Sequence, residues 1–185
     1  HATGLGKTFL SAFDAKRINK KTLFIVHLND VLLQTRESYE EVWPEAKKGI
    51  FNGEEKTADI LEKDIVFASI QTLSKKANLE IFQKNHFKYL IVDETHHAKS
   101  KTYLKILDYF LPEFTLGLTA TPTRTDGFHV KELYDNKIID EISIHDAIDK
   151  GFLVPYKYML LKDDVDYSNI RWNGFKYNQE DLNKL

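Results

Sequence analysis

The chain has 185 residues, 42% hydrophobic and 29% charged, with a formal net charge of −2, which suits one compact domain with its own core and room for an appendage. The complete lack of cysteine excludes a disulfide framework and thiolate metal sites. No apolar run approaches the roughly 20 residues of a membrane helix, and the charge balance advertises no nucleic-acid partner, although backbone amides, hydroxyls and helix N-termini can hold phosphates without a basic surface.

The first eight residues, HATGLGKT, are one glycine short of the strict phosphate-loop pattern G-x-x-x-x-G-K-[ST], because His1 stands where the first glycine belongs. Gly4 and Gly6 still allow consecutive N–H groups to face a phosphate. Lys7 can reach the β and γ phosphates, and the Thr8 hydroxyl can ligate Mg²⁺. Lys7 to Asn19 reads as a helix, so the phosphates would lie at a helix N-terminus. The plain alternative is a glycine-rich turn that happens to precede Lys-Thr. No leader of secretory type is present, and the start at His1 reads as a truncation. The strand that normally feeds such a loop is missing from the sequence; it is expected beside the strand that ends at Val92, and its absence predicts a poorly held loop.

Thr22–Val26 reads as a buried strand. Asn29 to Trp43 carries Val31, Leu32, Tyr39 and Val42 at helical spacing and should stop at Pro44. Phe51-Asn52-Gly53 is a turn after a short edge strand. Asp64–Ala68, Tyr89–Val92 and Thr115–Leu118 are further strands, with helices at Ser69–Lys76 and Tyr103–Leu111 between them. Strands of nearly continuous apolar character alternating with helices predict an α/β fold, a parallel sheet with helices on both faces. Ser143–Lys150 reads as a helix stopped by Gly151, and Tyr156–Leu161 as a late strand. From Lys162 the chain turns polar and aromatic. Ile170, Trp172, Phe175 and Tyr177 alternate about Asn173-Gly174, a two-residue hairpin signal. Domain boundaries are therefore expected at 1–161 for the main domain and 162–185 for a linker or hairpin appendage.

Two further sites sit at strand ends, where ligands of open α/β sheets bind. Asp93-Glu94-Thr95-His96 follows YLIV. A metal-holding carboxylate and a water-activating carboxylate are separate tasks, which Asp93 and Glu94 would divide. A helix cap and a transition-metal cluster with His96 and His97 are the alternatives; the second lacks H-E-x-x-H, and adjacent helical residues point about 100° apart. Thr119-Ala120-Thr121-Pro122 would pass alone as an ordinary strand exit. His86, His129 and His145 read as surface or half-buried side chains, and Trp43, Phe82 and Phe110 as core. Trp172 and Tyr177 read as a small satellite core rather than a base-stacking platform, and Lys47-Lys48 and Lys75-Lys76 as solvated faces.

Taken together and in this order, ATGLGKT, DETHHA and GLTATPTR resemble motifs I, II and III of the superfamily 2 helicase motor domain. LFIVHLNDVLLQT is similar to motif Ia and IVFASIQTLSK to motif Ib. The resemblance covers about Ala2 to Leu161. It points to the DEAH-like branch that includes type III restriction-enzyme motor subunits and excision-repair helicases, which TATPTRTDG and DAIDKGFLVPYKY resemble in particular. In that branch the residue before A-T-G-x-G-K-T varies, so His1 is no departure. Leu28 is one, because an arginine often follows the histidine of motif Ia.

The resemblance implies a RecA-like P-loop NTPase fold and nucleic-acid-dependent hydrolysis of ATP with Mg²⁺, coupled to translocation or strand separation. It assigns Thr3, Gly4, Leu5, Gly6, Lys7 and Thr8 to the nucleotide, and Thr8 and Asp93 to Mg²⁺. Glu94 would be the catalytic base, assisted by Lys7 and His96. His96, Thr119 and Thr121 would couple the nucleotide site to the nucleic acid, which His27, Asn29, Ser69, Gln71 and Thr72 would approach. It further implies a second RecA-like domain in the same chain, which supplies an arginine finger. This fragment alone is therefore expected to turn over ATP poorly. DNA is favoured over RNA, with restriction or repair subunits as partners, no membrane association and a cytoplasmic location. An RNA helicase and a non-catalytic scaffold are the alternatives, the latter opposed by the intact Lys7, Asp93 and Glu94.

Overall fold

The computed structural model describes residues 4–97, 100–121, 130–159, 170–172 and 178–182. Helix and strand alternate from the start. α1 (Lys7–Ile18) leads into β1 (Thr22–Val26), and α2 (Asn29–Val42) into β2 (Lys48–Phe51). β3 (Ile65–Ser69) is followed by α3 (Ile70–Leu73), α4 (Lys76–Leu79), β4 (Tyr89–Val92), α5 (Lys101–Tyr109) and β5 (Phe114–Gly117). α6 (Ile144–Asp149) and α7 (Gln179–Leu182) come later. The five strands form one parallel sheet in the order β2-β3-β1-β4-β5, the α/β class expected from the sequence.

The central strands are apolar on both sides because both sides are covered. Leu23, Ile25, Val66, Ala68, Leu90 and Val92 face a core completed by Phe82, Phe87, Tyr103, Ile106 and Phe110. Phe24, Val26, Ile65, Phe67, Tyr89 and Ile91 face the other, against Ala12 and Ala15 of α1 and Leu32, Tyr39 and Val42 of α2. Tyr39 packs edge-on against Phe24 and Phe67, with ring centroids 5.7 and 5.1 Å apart. Two hydrogen bonds fasten α1 to this layer. Ser11 Oγ meets the Tyr39 hydroxyl at 3.0 Å, and the Tyr89 hydroxyl donates to Asp14 Oδ2 at 2.7 Å. Helix ends follow local chemistry. Asn19 closes α1 in the left-handed region (φ 52°), and Ser143 with Asp146 forms a capping box on α6, which Gly151 (φ 72°) terminates.

Several expectations are corrected. The single helix over Ser69–Lys76 is two short helices. The buried Asn78 amide donates to the Thr72 carbonyl at 2.6 Å while its oxygen accepts from Lys56 Nζ at 2.9 Å, so a side chain takes the carbonyl that a continuing helix would use. The helix placed at Tyr103–Leu111 ends at Tyr109, since Leu111 precedes a proline and is steered away from helical geometry. The strand expected at Tyr156–Leu161 is absent over its described part: residues 156–159 have no ladder partner, and Tyr156, Tyr158 and Met159 are all exposed. A strand beside β4 has no place to enter, because β1 and β5 already occupy both of its sides; the sheet ends at β5 instead. Lys48 is not solvated. Its side chain is 2% exposed, and Nζ donates to the Trp43 and Ala46 carbonyls at 2.6 and 3.0 Å and pairs with Glu40 at 3.1 Å.

By contacts the chain divides into two units, His1–Val154 and Pro155–Leu185. In the second, Arg171 grips Asp181 through two bonds of 2.8 and 2.9 Å. Trp172, expected in a satellite core, is 56% exposed. The Asn173-Gly174 hairpin centre, Phe175, Tyr177 and His129 lie outside the described residues.

Lys48 satisfies carbonyls just beyond α2 from a buried position, so Lys48→Ala is expected to cost about 1–3 kcal/mol. The measurement is the urea midpoint. Lys47→Ala, at an exposed side chain, should stay within about 0.5 kcal/mol of the parent.

Candidate functional site

Parallel register brings three strand exits to one edge. Ile25 pairs with Val92, and Val92 with Gly117, so the segments after β1, β4 and β5 emerge side by side. The start of α1 lies at the same edge. Gly4 and Gly6 hold φ of 85° and 71°. A Cβ at Gly6 would meet nothing within 4 Å, so left-handed backbone, not space, selects glycine there. Gly6 is the N-cap of α1, and its carbonyl accepts the first helical bond from Leu10 N–H at 2.9 Å.

Gly4, Gly6, Lys7 and Thr8 line a cleft of about 340 Å³ together with Asp93 and Glu94. The sequence reading had joined these by motif alone. The opposite wall comes from Gln34, Thr35 and Ser38 of α2, beside Val31. These were missed because α2 was read only for its apolar spacing. Residues 31, 34, 35 and 38 form a second helical stripe, and its polar content was the available signal.

Asp93 extends the ladder of β4 by donating its N–H to the Ile25 carbonyl at 3.0 Å. Its Oδ1 accepts from Glu94 N–H at 3.0 Å. Burial raises the Asp93 carboxyl above its ordinary 3.8, a push that the Glu94 amide opposes and the Glu94 charge reinforces, while Lys7 and His96 draw it down. Glu94 takes a positive φ of 46°, unusual for a residue with a side chain. Its Oε2 lies 3.1 Å from His96 Nδ1, which is also 3.1 Å from Thr119 Oγ1. A carboxylate can only accept, so a protonated Nδ1 faces Glu94 as its charge partner and can donate to Thr119 Oγ1. Thr119 Oγ1 in turn accepts from Thr121 N–H at 3.0 Å. His96, Thr119 and Thr121 thus form one chain of contacts that begins at Glu94. Thr95 adds a second tie across the strand ends, its N–H donating to the Leu118 carbonyl at 2.9 Å.

The residues expected near nucleic acid divide into two kinds. His27 and Gln71 are exposed and joined, Gln71 Nε2 donating to the His27 carbonyl at 2.9 Å, with Asn29 half-buried nearby in sequence. Ser69 and Thr72 are buried and bonded to each other at 3.0 Å. Leu28, where arginine is frequent, is 58% exposed. Leu5 is half-buried, and Thr3 lies outside the described residues. Among the described residues no group of three His, Asp or Glu side chains is arranged to hold a metal ion, and no helix is long and apolar enough to cross a membrane.

Residues 1–124 match the family described as type III restriction enzyme, res subunit. The chain belongs to that family. Among similar proteins, the putative ATP-dependent helicase IRC3 of Saccharomyces cerevisiae is 28% identical over 100% of this chain and 28% of its own length. The type I restriction enzyme EcoAI endonuclease subunit of Escherichia coli is 29% identical over 98% of this chain and 23% of its own. The DNA 3'-5' translocase XPB2 of Sulfurisphaera tokodaii is 32% identical over 71% and 28%. The chain therefore spans about a quarter of the length of these relatives. Among solved structures, the Pyrococcus furiosus Hef helicase domain superimposes with a TM-score of 0.58 at 21% identity, covering 71% of this chain and 31% of that one. A hypothetical ATP-dependent RNA helicase from Sulfolobus tokodaii gives 0.59 at 17% identity, covering 77% and 45%. The fold is the RecA-like one expected from the sequence.

The raised Asp93 carboxyl has a pH consequence. The folded chain holds that proton to higher pH than the unfolded chain, so ionising Asp93 costs stability. The cost is absent below 3.8, grows as pH rises from there toward the folded value and is complete above it. Asp93→Asn keeps the acceptor for Glu94 N–H and removes the charge. In the absence of divalent cations it is expected to melt higher than the parent at neutral pH, with the gap closing toward pH 3.8. Thermal denaturation across pH checks this, and a gap indifferent to pH would refute it.

Proposed function

We propose that this chain is the nucleotide-binding motor domain of a nucleic-acid-dependent ATPase, a DNA helicase or translocase of restriction or repair type. One observation carries the reading. Lys7 and Thr8 share a single cleft with Asp93 and Glu94, and His96 joins Glu94 to Thr119 on the next strand exit. A phosphate grip, a metal-holding carboxylate and a base are thus adjacent, with a side chain leading away from them. The relatives named for restriction and for DNA translocation favour DNA.

The left-handed glycines and the first turn of α1 present backbone amides to phosphate oxygens, and Lys7 adds a full positive charge. Thr8 and Asp93 would hold Mg²⁺, an ion that neutralises phosphate charge when bound. The donor set suits it, since both ligands are oxygens and the cleft leaves room for waters. Glu94 accepts a proton from the attacking water, its carboxylate aimed by His96 Nδ1. Any shift of Glu94 is felt at Thr119 through the same nitrogen. His27 and Asn29 follow β1 and Gln71 follows β3, at the sheet edge where a sugar-phosphate backbone would pass; Ser69 and Thr72 are buried close to Gln71 in sequence. A second RecA-like domain and restriction or repair subunits complete the working assembly.

The test is ATP hydrolysis by the complete protein with no polymer, duplex DNA, single-stranded DNA and RNA. DNA is expected to stimulate, and Lys7→Ala and Glu94→Gln to lower the stimulated rate by about 10²-fold or more. Stimulation by RNA and not DNA would overturn the substrate. Undiminished turnover in Lys7→Ala would overturn the motor reading itself.

A further inference from the structure

Thr95, inside the acidic motif, is held by a residue that no motif contains. Its hydroxyl forms a short hydrogen bond to the Tyr134 hydroxyl, and burial drives the Tyr134 phenol upward to about 12. Tyr134 follows a 3-10 turn at Val130–Leu133, whose Leu133 packs on the core beneath β4. The backbone around it is closed by local bonds. Tyr134 and Asn136 N–H both donate to the Lys131 carbonyl at 2.9 Å, and Lys137 N–H donates to the Tyr134 carbonyl at 2.8 Å. Asp135 and Asn136 take φ of 51° and 59°, the left-handed region that their short polar side chains tolerate. The turn therefore fixes where the tyrosine ring points.

That ring lies against Gly117, the last residue of β5. A Cβ at Gly117 would come within 2.6 Å of Tyr134 Cζ and Oη and 2.8 Å of Thr95 Cγ2. Glycine is needed there because the tyrosine fills the space a side chain would take. One residue thus touches both strand exits, Thr95 next to Glu94 and Gly117 two residues before Thr119. The same gap is also bridged by Thr95 N–H to the Leu118 carbonyl and Leu118 N–H to the Val92 carbonyl, both at 2.9 Å, and by His96 to Thr119 Oγ1 at 3.1 Å.

We propose that Tyr134 is a positioning residue for the ATPase cycle. It fixes Thr95 against the exit of β5 and so sets the distance across which Glu94 and His96 address Thr119. Rearrangement of the acidic motif is thereby felt in the segment that follows TATP. This rests on the motor reading and extends it to a residue outside the conventional motifs.

The experiment uses the complete protein. Tyr134→Phe keeps the ring against Gly117 and removes only the hydroxyl, and Thr95→Val removes its partner. Each is expected to lower the DNA-stimulated kcat about 5- to 10-fold, the size of one net hydrogen bond. The KM for ATP should stay within about twofold, as for an interaction that matters in the transition state rather than in ground-state binding. The double variant should fall no further than either single one, because both delete the same bond. Full stimulation in both single variants, additive losses, or a rise in KM that accounts for the whole effect would each overturn the proposal. Lys7→Ala separates the two readings. A parent that loses turnover with Lys7→Ala yet keeps full stimulation in Tyr134→Phe and Thr95→Val refutes only the role of Tyr134. A parent indifferent to Lys7→Ala refutes the motor reading beneath it.

Discussion

The site depends on β4 lying in parallel register between β1 and β5. The ladder does not stop where the strand does. Asp93 N–H reaches back to Ile25 on one side, and Thr95 N–H reaches Leu118 on the other. The two residues that flank Glu94 are thus each bonded to a different neighbouring strand exit. A slip of one residue that drew Asp93 into the place of Val92 would carry its carboxylate into the core and exchange the two buried layers. The apolar run YLIV prevents it, since Leu90 and Val92 belong to one buried layer and Tyr89 and Ile91 to the other. Hydrophobic burial, indifferent to chemistry, is what delivers two carboxylates to the surface at the right edge.

The helix that carries the phosphate loop is anchored differently. α1 buries only Ser11, Ala12 and Ala15 completely, while Phe9, Leu10 and Phe13 are exposed. Small residues let it approach the sheet closely but contribute little apolar area. The Ser11–Tyr39 and Asp14–Tyr89 bonds therefore bear much of its registration. Tyr89 opens β4, which ends just before Asp93, so one strand is fastened to α1 near its start and presents the acidic pair to the N-terminus of α1 just beyond its end.

How much of this was legible in the sequence depends on the range of the cause. Strands such as Thr22–Val26 and Tyr89–Val92 were readable to the residue because continuous apolar character has one explanation in a two-sided sheet. The three motifs were readable because each chemical task demands a residue type at a strand or helix end. The break at Ser74-Lys75 was not, since it depends on Asn78 reaching a carbonyl that only the folded chain brings near. The burial of Lys48 depends on two carbonyls that the turn after α2 places around it. YKYMLL alternates and is rich in β-forming residues, but a strand exists only where a neighbour offers a ladder. The α2 wall of the cleft and the grip of Tyr134 on Thr95 are tertiary facts, carried by residues 39 or more positions from their partners or on a helix first read for its other face.

β5 forms one edge of the sheet, and its first two residues, Phe114 and Thr115, are exposed. A row of backbone donors and acceptors beside an exposed phenylalanine is a template for another strand. Among the described residues, Pro112 and the Glu113–Lys88 ion pair at 3.3 Å stand at its start. Leu116 and Gly117 carry neither charge nor proline. Among the described residues this margin is therefore the place where the sheet can accept one more strand, from elsewhere in the polypeptide or from a second copy.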